Sequence, residues 1–553
     1  MHVLIALIVA APAVSTQGAV ASGHPLASEA GAAMLRHGGN AMDAAVATAF
    51  ALAVIEPQSS GIGGGGFALV YLAREKKVQV VDFREVAPAA ATPQMYVQDG
   101  KAREDLARAG PLSVAVPGAV RGYVELLKRF GKRQLLEVLG PSIEFASSGF
   151  RAYRAYVNAA DYRRDCLAAD PEASRIFLRR GRDGQLHAPA PGDRLIQPDL
   201  ARTLKAIALR GADAFYKGDV ARRIAATVKS GGGILTEQDL AAFKARDREP
   251  IEGTYRGYRV VSMPPPSSGG MILIGLLNTL ERDDPTAGGY KPEPFLHVMV
   301  EAEKRLYAQR EGWGDPDFNP TMAEIARKIV SKDFARTLRD SIGDRATAAQ
   351  QIAGAHEGAN TTHISVVDAQ GNAVALTTTV NEPFGSCVVA QGTGVLLNDE
   401  MDDFTVAPGV ANAFDLRGGT ENAPGPGKVP LSSIAPTLVF TPGGELRLVL
   451  GSAGGSTIPT TIAQAIIHVI DERMPIDRAL AAPRIHHNLF PDAIRVEPEG
   501  LEASTAQALE ARGHHIEYRP RPWAKVSAVE VDPETGWRIA AVDASFDGGG
   551  AAQ

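Results

Sequence analysis

Asn360-Thr361-Thr362-His363-Ile364-Ser365-Val366-Val367-Asp368 passes without a spacer from a small polar cluster into an alternating, β-branched strand. On β propensity alone, Thr-Thr at such a point is an ordinary turn-to-strand transition. It acquires chemistry if the Asn360-Thr361 bond is cut. A threonine hydroxyl is a poor nucleophile until a base takes its proton, and a new α-amine on Thr361 titrates at about 7.7–8.0, close to working pH. One residue then supplies both nucleophile and base.

The bulk properties narrow the field. The chain has 553 residues, 45% of them hydrophobic, enough for a large core; length alone suggests two to four domains. With 57 basic and 63 acidic residues mixed throughout and a net charge of -6, no block carries the electrostatic footprint of a nucleic-acid binder. Cys166 and Cys387 are the only two cysteines, too few for a disulfide framework or a four-thiolate zinc site, though one bridge between them is allowed. Met1 to Val14 is apolar and ends in Ala11-Pro12-Ala13, which suits a signal-like segment, but no Lys or Arg precedes Arg36. A start inside a longer leader and a simple first strand are the alternatives. The segment is also too short to span a bilayer, which takes about 20 residues.

Pro25 to Val54 repeats small and apolar residues at helical spacing, with Gly38-Gly39 as punctuation, and predicts two packed helices. The run Gly61-Ile62-Gly63-Gly64-Gly65-Gly66 matches G-x-G-x-x-G by letter. A dinucleotide site needs a strand before it and a helix after it, whereas here a helix precedes and Phe67 to Leu72 reads as strand, so the nucleotide reading is set aside. Strands are expected at Val78 to Phe83, Tyr258 to Met263 and Leu446 to Leu450, and a helical layer over 135–228. Further helices are expected at Met271 to Leu280, Phe295 to Arg310 and Thr460 to Asp471, with a turn at Gly451 to Ser456. Residues 340–360 are polar and rich in Ala and Gly, a composition that suits a mobile tail leaving the site after cleavage.

The segments Gly38 to Ala45, Gly63 to Phe67, Phe83-Arg84-Glu85, Val116-Pro117-Gly118 and Pro264 to Gly270 precede Thr361. Thr377-Thr378-Thr379-Val380-Asn381, Asn398 to Phe404, Ser432-Ser433 and Gly451 to Ser456 follow it. In this order, over almost the whole chain, they closely resemble the gamma-glutamyltransferase (glutathione hydrolase) family of N-terminal-nucleophile hydrolases. The resemblance implies an α+β fold, a four-layer αββα sandwich that processes itself into two subunits. Residues 1–14 are then a possible signal-like segment, 15–360 the large subunit and 361–553 the small subunit.

It also implies roles. Thr361 is the nucleophile, Thr379 its hydrogen-bonding neighbour across a hairpin at Ala369 to Asn372, and the Gly454 and Gly455 N–H groups meet the oxyanion, where each donor typically contributes about 2.7–4 kcal/mol. Arg84 grips the α-carboxylate of a γ-glutamyl donor with two parallel hydrogen bonds, helped by Ser432 and Ser433. Asn381, Glu400 and Asp403 accept from the α-ammonium, which offers three donors and no acceptor. The Gly-, Pro- and Asn-rich stretch from Phe404 to Pro430, with Phe414, corresponds to a lid.

The implied activity is transfer of the γ-glutamyl group of glutathione or a related donor, through a Thr361 ester, to water or to an amino acid or peptide. No cofactor, metal or nucleic acid is implied, and the partners are the two subunits of one precursor. A periplasmic or secreted location is expected, a cytoplasmic one if the short leader is not functional. An acylase of the same fold acting on a cephalosporin or other amide side chain is the nearest rival, and an inactive binding or scaffold homologue the rival of another class. Glu400, Asp402 and Asp403 also suit a solvated acidic turn or a cation loop, but Met401 and Phe404 interrupt calcium-ligand spacing. His486-His487 and His514-His515 lack i, i+4 partners and read as structural. Two departures from the family pattern, Ala308-Gln309-Arg310 and Asp543 to Phe546, touch none of the assigned residues.

Overall fold

The computed structural model describes residues 11–287, 292–349, 361–414, 416–543 and 545–553. Asn360 and its bond to Thr361, the tail residues 350–360 and residues 1–10 of the signal-like segment lie outside them.

Two antiparallel sheets form the centre. The strands, in chain order, are β1 (Ala13–Ser15), β2 (Ala19–Ser22), β3 (Gly65–Leu72), β4 (Lys77–Asp82), β5 (Arg246–Arg248), β6 (Ile251–Tyr255) and β7 (Tyr258–Ser262). Beyond them come β8 (Thr362–Val367), β9 (Ala373–Thr379), β10 (Thr437–Phe440), β11 (Leu446–Ala453), β12 (Lys525–Val531), β13 (Arg538–Val542) and β14 (Gly549–Ala552). One sheet runs β5-β4-β3-β9-β8-β2-β14 and the other β1-β13-β12-β11-β10-β7-β6. The strand headed by Thr361 therefore sits near the middle of the first sheet. The end of the signal-like segment is itself structural, since Ala13 pairs with Ala540 in the second sheet.

The alternation of strand residues divides the core into layers. Ile364, Val366, Val374 and Leu376 face a helical layer that includes α1 (Pro25–Arg36), α2 (Ala41–Ile55), α3 (Ala119–Phe130) and α4 (Gly140–Ser148). Val367, Ala373 and Ala375 face the second sheet, whose core runs on to α6 (Gly269–Leu280), α7 (Glu293–Ala308) and α8 (Ile458–Ile470), while α5 (Arg164–Ala169) lies in the first helical layer. The result is the expected αββα sandwich. Helix α2 is apolar on all sides and wholly buried, and it starts at a capping box between Asn40 and Asp43, a device whose loss costs about 1 kcal/mol.

The same parity sends His363 into the space between the sheets. Its Nδ1 is 2.7 Å from Thr377 Oγ1 and its Nε2 3.1 Å from Ser365 Oγ; burial brings its pKa down to about 3, so the ring is neutral. A Cβ on Gly451 would stand 2.4 Å from that ring, which is why β11 carries glycine there. The expected turn at Gly451 consequently starts later, and β11 continues to Ala453. The glycine-rich run has a similar cause. A Cβ on Gly64 would stand 2.0 Å from the Thr379 carbonyl, so the run lets backbone approach β9 rather than a phosphate.

Of the expected tail, residues 341–349 are anchored. Lys304 Nζ donates to the Thr347 carbonyl at 3.0 Å and Asp492 accepts from Ala349 N at 2.7 Å. His486 lies 2.8 Å from Thr460 Oγ1 and His514 2.8 Å from His297, both buried and held near pKa 3 by burial. Cys166 and Cys387, left open by sequence, are joined in a disulfide.

Candidate active site

Thr361 and Thr379 meet because β8 and β9 form a hairpin in which Thr362 pairs with Thr378. Thr361 Oγ1 lies 3.3 Å from Thr379 Oγ1, and Thr379 Oγ1 in turn accepts from Asn381 N at 2.9 Å. Both threonines are buried. Beside them β11 gives way to a short 3-10 turn, Gly455–Thr457, with Gly454 at φ 140° and Gly455 at φ 55°, conformations that suit glycine. Thr457 fixes the Gly454 carbonyl through its N–H at 3.1 Å and its hydroxyl at 2.8 Å.

A narrow cavity of about 20 Å³ opens at this point. Arg84, Thr361, Thr379, Asn381, Glu400, Asp403, Ser432, Ser433 and Gly455 all line it. Nine of the ten expected residues are thus gathered from both sides of position 360, and the tenth, Gly454, adjoins Gly455. Phe414 lines the cavity as well, as do Ile434 and Ile458, apolar residues that sequence reasoning gave no reason to single out.

The charged end departs from expectation in its pairings. Glu400–Asp403 is a 3-10 turn, in which residues three apart eclipse, so Glu400 and Asp403 share a face and both engage the Arg84 guanidinium. Asp402 points elsewhere, to Ala413 N at 2.8 Å and to Arg108 at 3.4 Å. The groups assigned to a ligand's carboxylate and ammonium are therefore paired with each other. Asn412 Nδ2, from the stretch expected to form a lid, donates to Asp403 at 2.8 Å. Glu85, quoted in sequence only as a flank of Arg84, lies 3.8 Å from the guanidinium and is fully buried.

Burial dominates the electrostatics. It pulls the Arg84 guanidinium down, but Glu400, Asp403 and Glu85 outweigh it and hold that group above its ordinary value. It pushes Glu85 up to about 7 and raises Glu400 and Asp403 despite Arg84 beside them. Such a cluster of carboxyls around one guanidinium leaves acceptor capacity for an incoming cation.

The serine pair is held from behind. Ser268 Oγ donates to the Ser432 carbonyl at 2.8 Å, and Arg310 donates to Ser268 Oγ at 3.3 Å and to the Leu431 carbonyl at 3.0 Å. Burial brings Arg310 down to about 10. Arg310 stood out in sequence only as the end of a departing motif, so its position behind Ser432 was not foreseen.

A threonine at the head of a central strand of an αββα sandwich is the placement expected of a threonine-type N-terminal-nucleophile hydrolase, and solved structures share this fold. A cephalosporin acylase from Bacillus halodurans superposes with a TM-score of 0.84 at 29% identity, covering 98% of this chain and 97% of that one. A gamma-glutamyltranspeptidase from Helicobacter pylori matches at 39% identity and TM-score 0.57, over 60% of this chain and 93% of that one. The gamma-glutamyltranspeptidase family model matches residues 27–553. Similar relatives include the glutathione hydrolase proenzyme of Escherichia coli K12, 41% identical over 91% of this chain and 87% of that protein. Another is that of Pseudomonas sp. strain A14, 40% identical over 94% and 90%. The chain belongs to the gamma-glutamyltranspeptidase family.

Proposed function

We propose that this chain is a glutathione hydrolase and γ-glutamyltransferase that cleaves itself before Thr361 and then uses that residue as its nucleophile. The observation that carries the reading is the cavity in which Thr361 and Thr379, 3.3 Å apart, share walls with Arg84, Glu400, Asp403, Asn381 and the Ser432-Ser433 hydroxyls. In the precursor the Thr361 hydroxyl attacks the carbonyl carbon of residue 360; the ester forms as the peptide C–N bond breaks and frees the Thr361 amine, and water then hydrolyses the ester, leaving a carboxylate on residue 360 and returning the Thr361 hydroxyl. In turnover that amine takes the hydroxyl proton as Oγ1 attacks the donor's γ-carbonyl. The Gly454 and Gly455 N–H groups stabilise the oxyanion, and the leaving amine takes the proton back. Water or an amino acid or peptide amine resolves the γ-glutamyl ester.

A ligand's α-carboxylate competes for Arg84 with Glu400 and Asp403, and its α-ammonium compensates those carboxylates in the same step. Exchange of partners, rather than occupation of a waiting cation, is the recognition event. The products of cleavage are a large subunit ending at Asn360 and a small subunit starting at Thr361, which stay associated. Among the described residues no helix is long and apolar enough to cross a membrane. We place the protein in the periplasm or outside the cell, where a disulfide persists.

Denaturing electrophoresis with intact-mass analysis tests the processing step: two fragments from the wild type, divided before Thr361, and one chain from Thr361→Ala. The likeness to the Bacillus halodurans acylase keeps one rival in view. Faster turnover of a γ-glutamyl anilide than of a glutaryl amide is expected, because only the first presents the α-ammonium that Glu400 and Asp403 fit; the reverse order would favour the acylase reading.

A further inference from the structure

Cleavage before Thr361, the reading above on which this inference rests, leaves Cys166 and Cys387 on different polypeptides. Cys166 lies in α5, and Cys387 closes the turn that follows β9; 221 residues separate them. Their Cα atoms are 5.9 Å apart, inside the range a disulfide spans, and the structure joins them. We propose that the mature protein is a covalently linked pair of subunits, and that the Cys166–Cys387 bridge clamps the turn that carries Asn381 into the cavity.

That turn needs a clamp. Asn381, Phe384 and Cys387 have φ of 78°, 60° and 60°, a region non-glycine residues occupy only where their surroundings enforce it. The enforcing groups belong to the large subunit. Arg163 donates to the Gly385 carbonyl at 2.9 Å, pairs with Glu382, and has Nη2 3.5 Å from each sulfur of the bridge. The Phe384 ring packs against Tyr156 and Phe177, with centroids 5.6 and 5.1 Å away. On the cavity side, Asn381 Nδ2 donates to the Asp399 carbonyl at 3.1 Å and Glu382 N to its carboxylate at 3.0 Å, which couples the turn to the segment bearing Glu400 and Asp403.

Two consequences follow from the placement. A tether makes reassociation of the cleaved halves intramolecular, so dilution does not separate them. Reduction releases one of the restraints on the Asn381 turn, so it weakens recognition of the donor while leaving Thr361, Thr379 and the glycine turn in place. Arg163 acts through that turn and is a positioning residue.

The test uses full-length protein isolated without reductant, denatured, alkylated with iodoacetamide before or after reduction, and examined by electrophoresis and intact mass. Expected are no alkylation before reduction and one band that splits into two on reduction. In Cys166→Ser and in Cys387→Ser two bands are expected without reductant, with the KM for a γ-glutamyl anilide raised several-fold and kcat nearly unchanged. Two alkylated cysteines in the unreduced wild type, or halves that separate without reductant, overturn the link. An unchanged KM in both variants overturns the clamp. A chain that resists alkylation before reduction and still runs as one band after it has formed the bridge and failed to process; that result overturns the link through failure of the cleavage reading, not of the disulfide.

Discussion

The two ends of the cavity are built on different principles. At the nucleophile end, Thr361 immediately precedes β8 and Thr379 ends β9, paired strands whose register is fixed over six residue pairs, and their hydroxyls are neutral. At the recognition end, Arg84, Glu85, Glu400 and Asp403 come from a strand exit and a 3-10 turn, and they are fully or nearly fully buried charges held by each other. Strand register is set by the hydrophobic pattern of a whole sheet and tolerates local change. A buried ion cluster is set by its own members, and removing one leaves the others uncompensated. The first end is therefore expected to lose chemistry without losing structure, and the second to lose both.

Thr361→Ala gives the largest effect and the cleanest test of the first half of that contrast. Processing and turnover fall together, the latter by a factor on the order of 10⁴ or more, while the melting temperature stays close to that of an uncleaved wild-type precursor. A variant that still divides would remove Thr361 from the mechanism. Arg84→Met comes next. It strands Glu400 and Asp403 in the interior, a change expected to cost about 3–5 kcal/mol of stability and to remove recognition of the donor's carboxylate. Adding Glu400→Gln should restore much of the melting temperature and none of the KM. If Arg84→Met alone is as stable as wild type, the cluster is not held by its charges.

Thr379→Val sits between the two ends. It removes the hydroxyl 3.3 Å from Thr361 Oγ1 and the acceptor for Asn381 N, but keeps the β-branched shape that β9 packs. A loss of about 1.5–3 kcal/mol in the transition state corresponds to roughly 10- to 100-fold in kcat, with KM moved less. Equal falls in kcat and rises in KM would instead make Thr379 part of the recognition end.

The contrast also explains which features were legible in the sequence. The β8–β9 hairpin, the α1–α2 pair and β3 follow from periodicity and turn residues, which act locally, and the αββα arrangement came with the family resemblance. Membership of the site came with that resemblance as well. The partners inside it were not. Glu400 and Asp403 were expected to face a ligand, and they engage Arg84, because the 3-10 turn puts both carboxylates on the face that meets the buried guanidinium. Arg310 behind Ser268 and the Gly451–His363 fit depend on contacts between distant segments, for which a single sequence holds no signal. The Cys166–Cys387 pairing was open for that reason too.

The smallest expected effect is also the one that separates the two ends by pH. Glu85 has its pKa raised by burial from 4.5 to about 7, so the folded state holds a proton that the unfolded chain releases earlier. Its favourable contribution is complete below pH 4.5 and is lost as pH rises to about 7; above that it is constant. Asp402, raised from 3.8 to about 7, adds a slope of the same sign. Glu85→Gln cannot titrate, so its melting temperature relative to wild type should become more favourable between pH 5 and pH 8, by a few degrees. The same ionisation makes the recognition end more attractive to an ammonium, so wild-type KM should fall over that interval while kcat follows the freed Thr361 amine near pH 8. Melting curves of both proteins at several pH values check the first point. A difference that stays constant from pH 5 to pH 8 would mean that Glu85 is ionised throughout, and that the recognition end has no titration of its own over that interval.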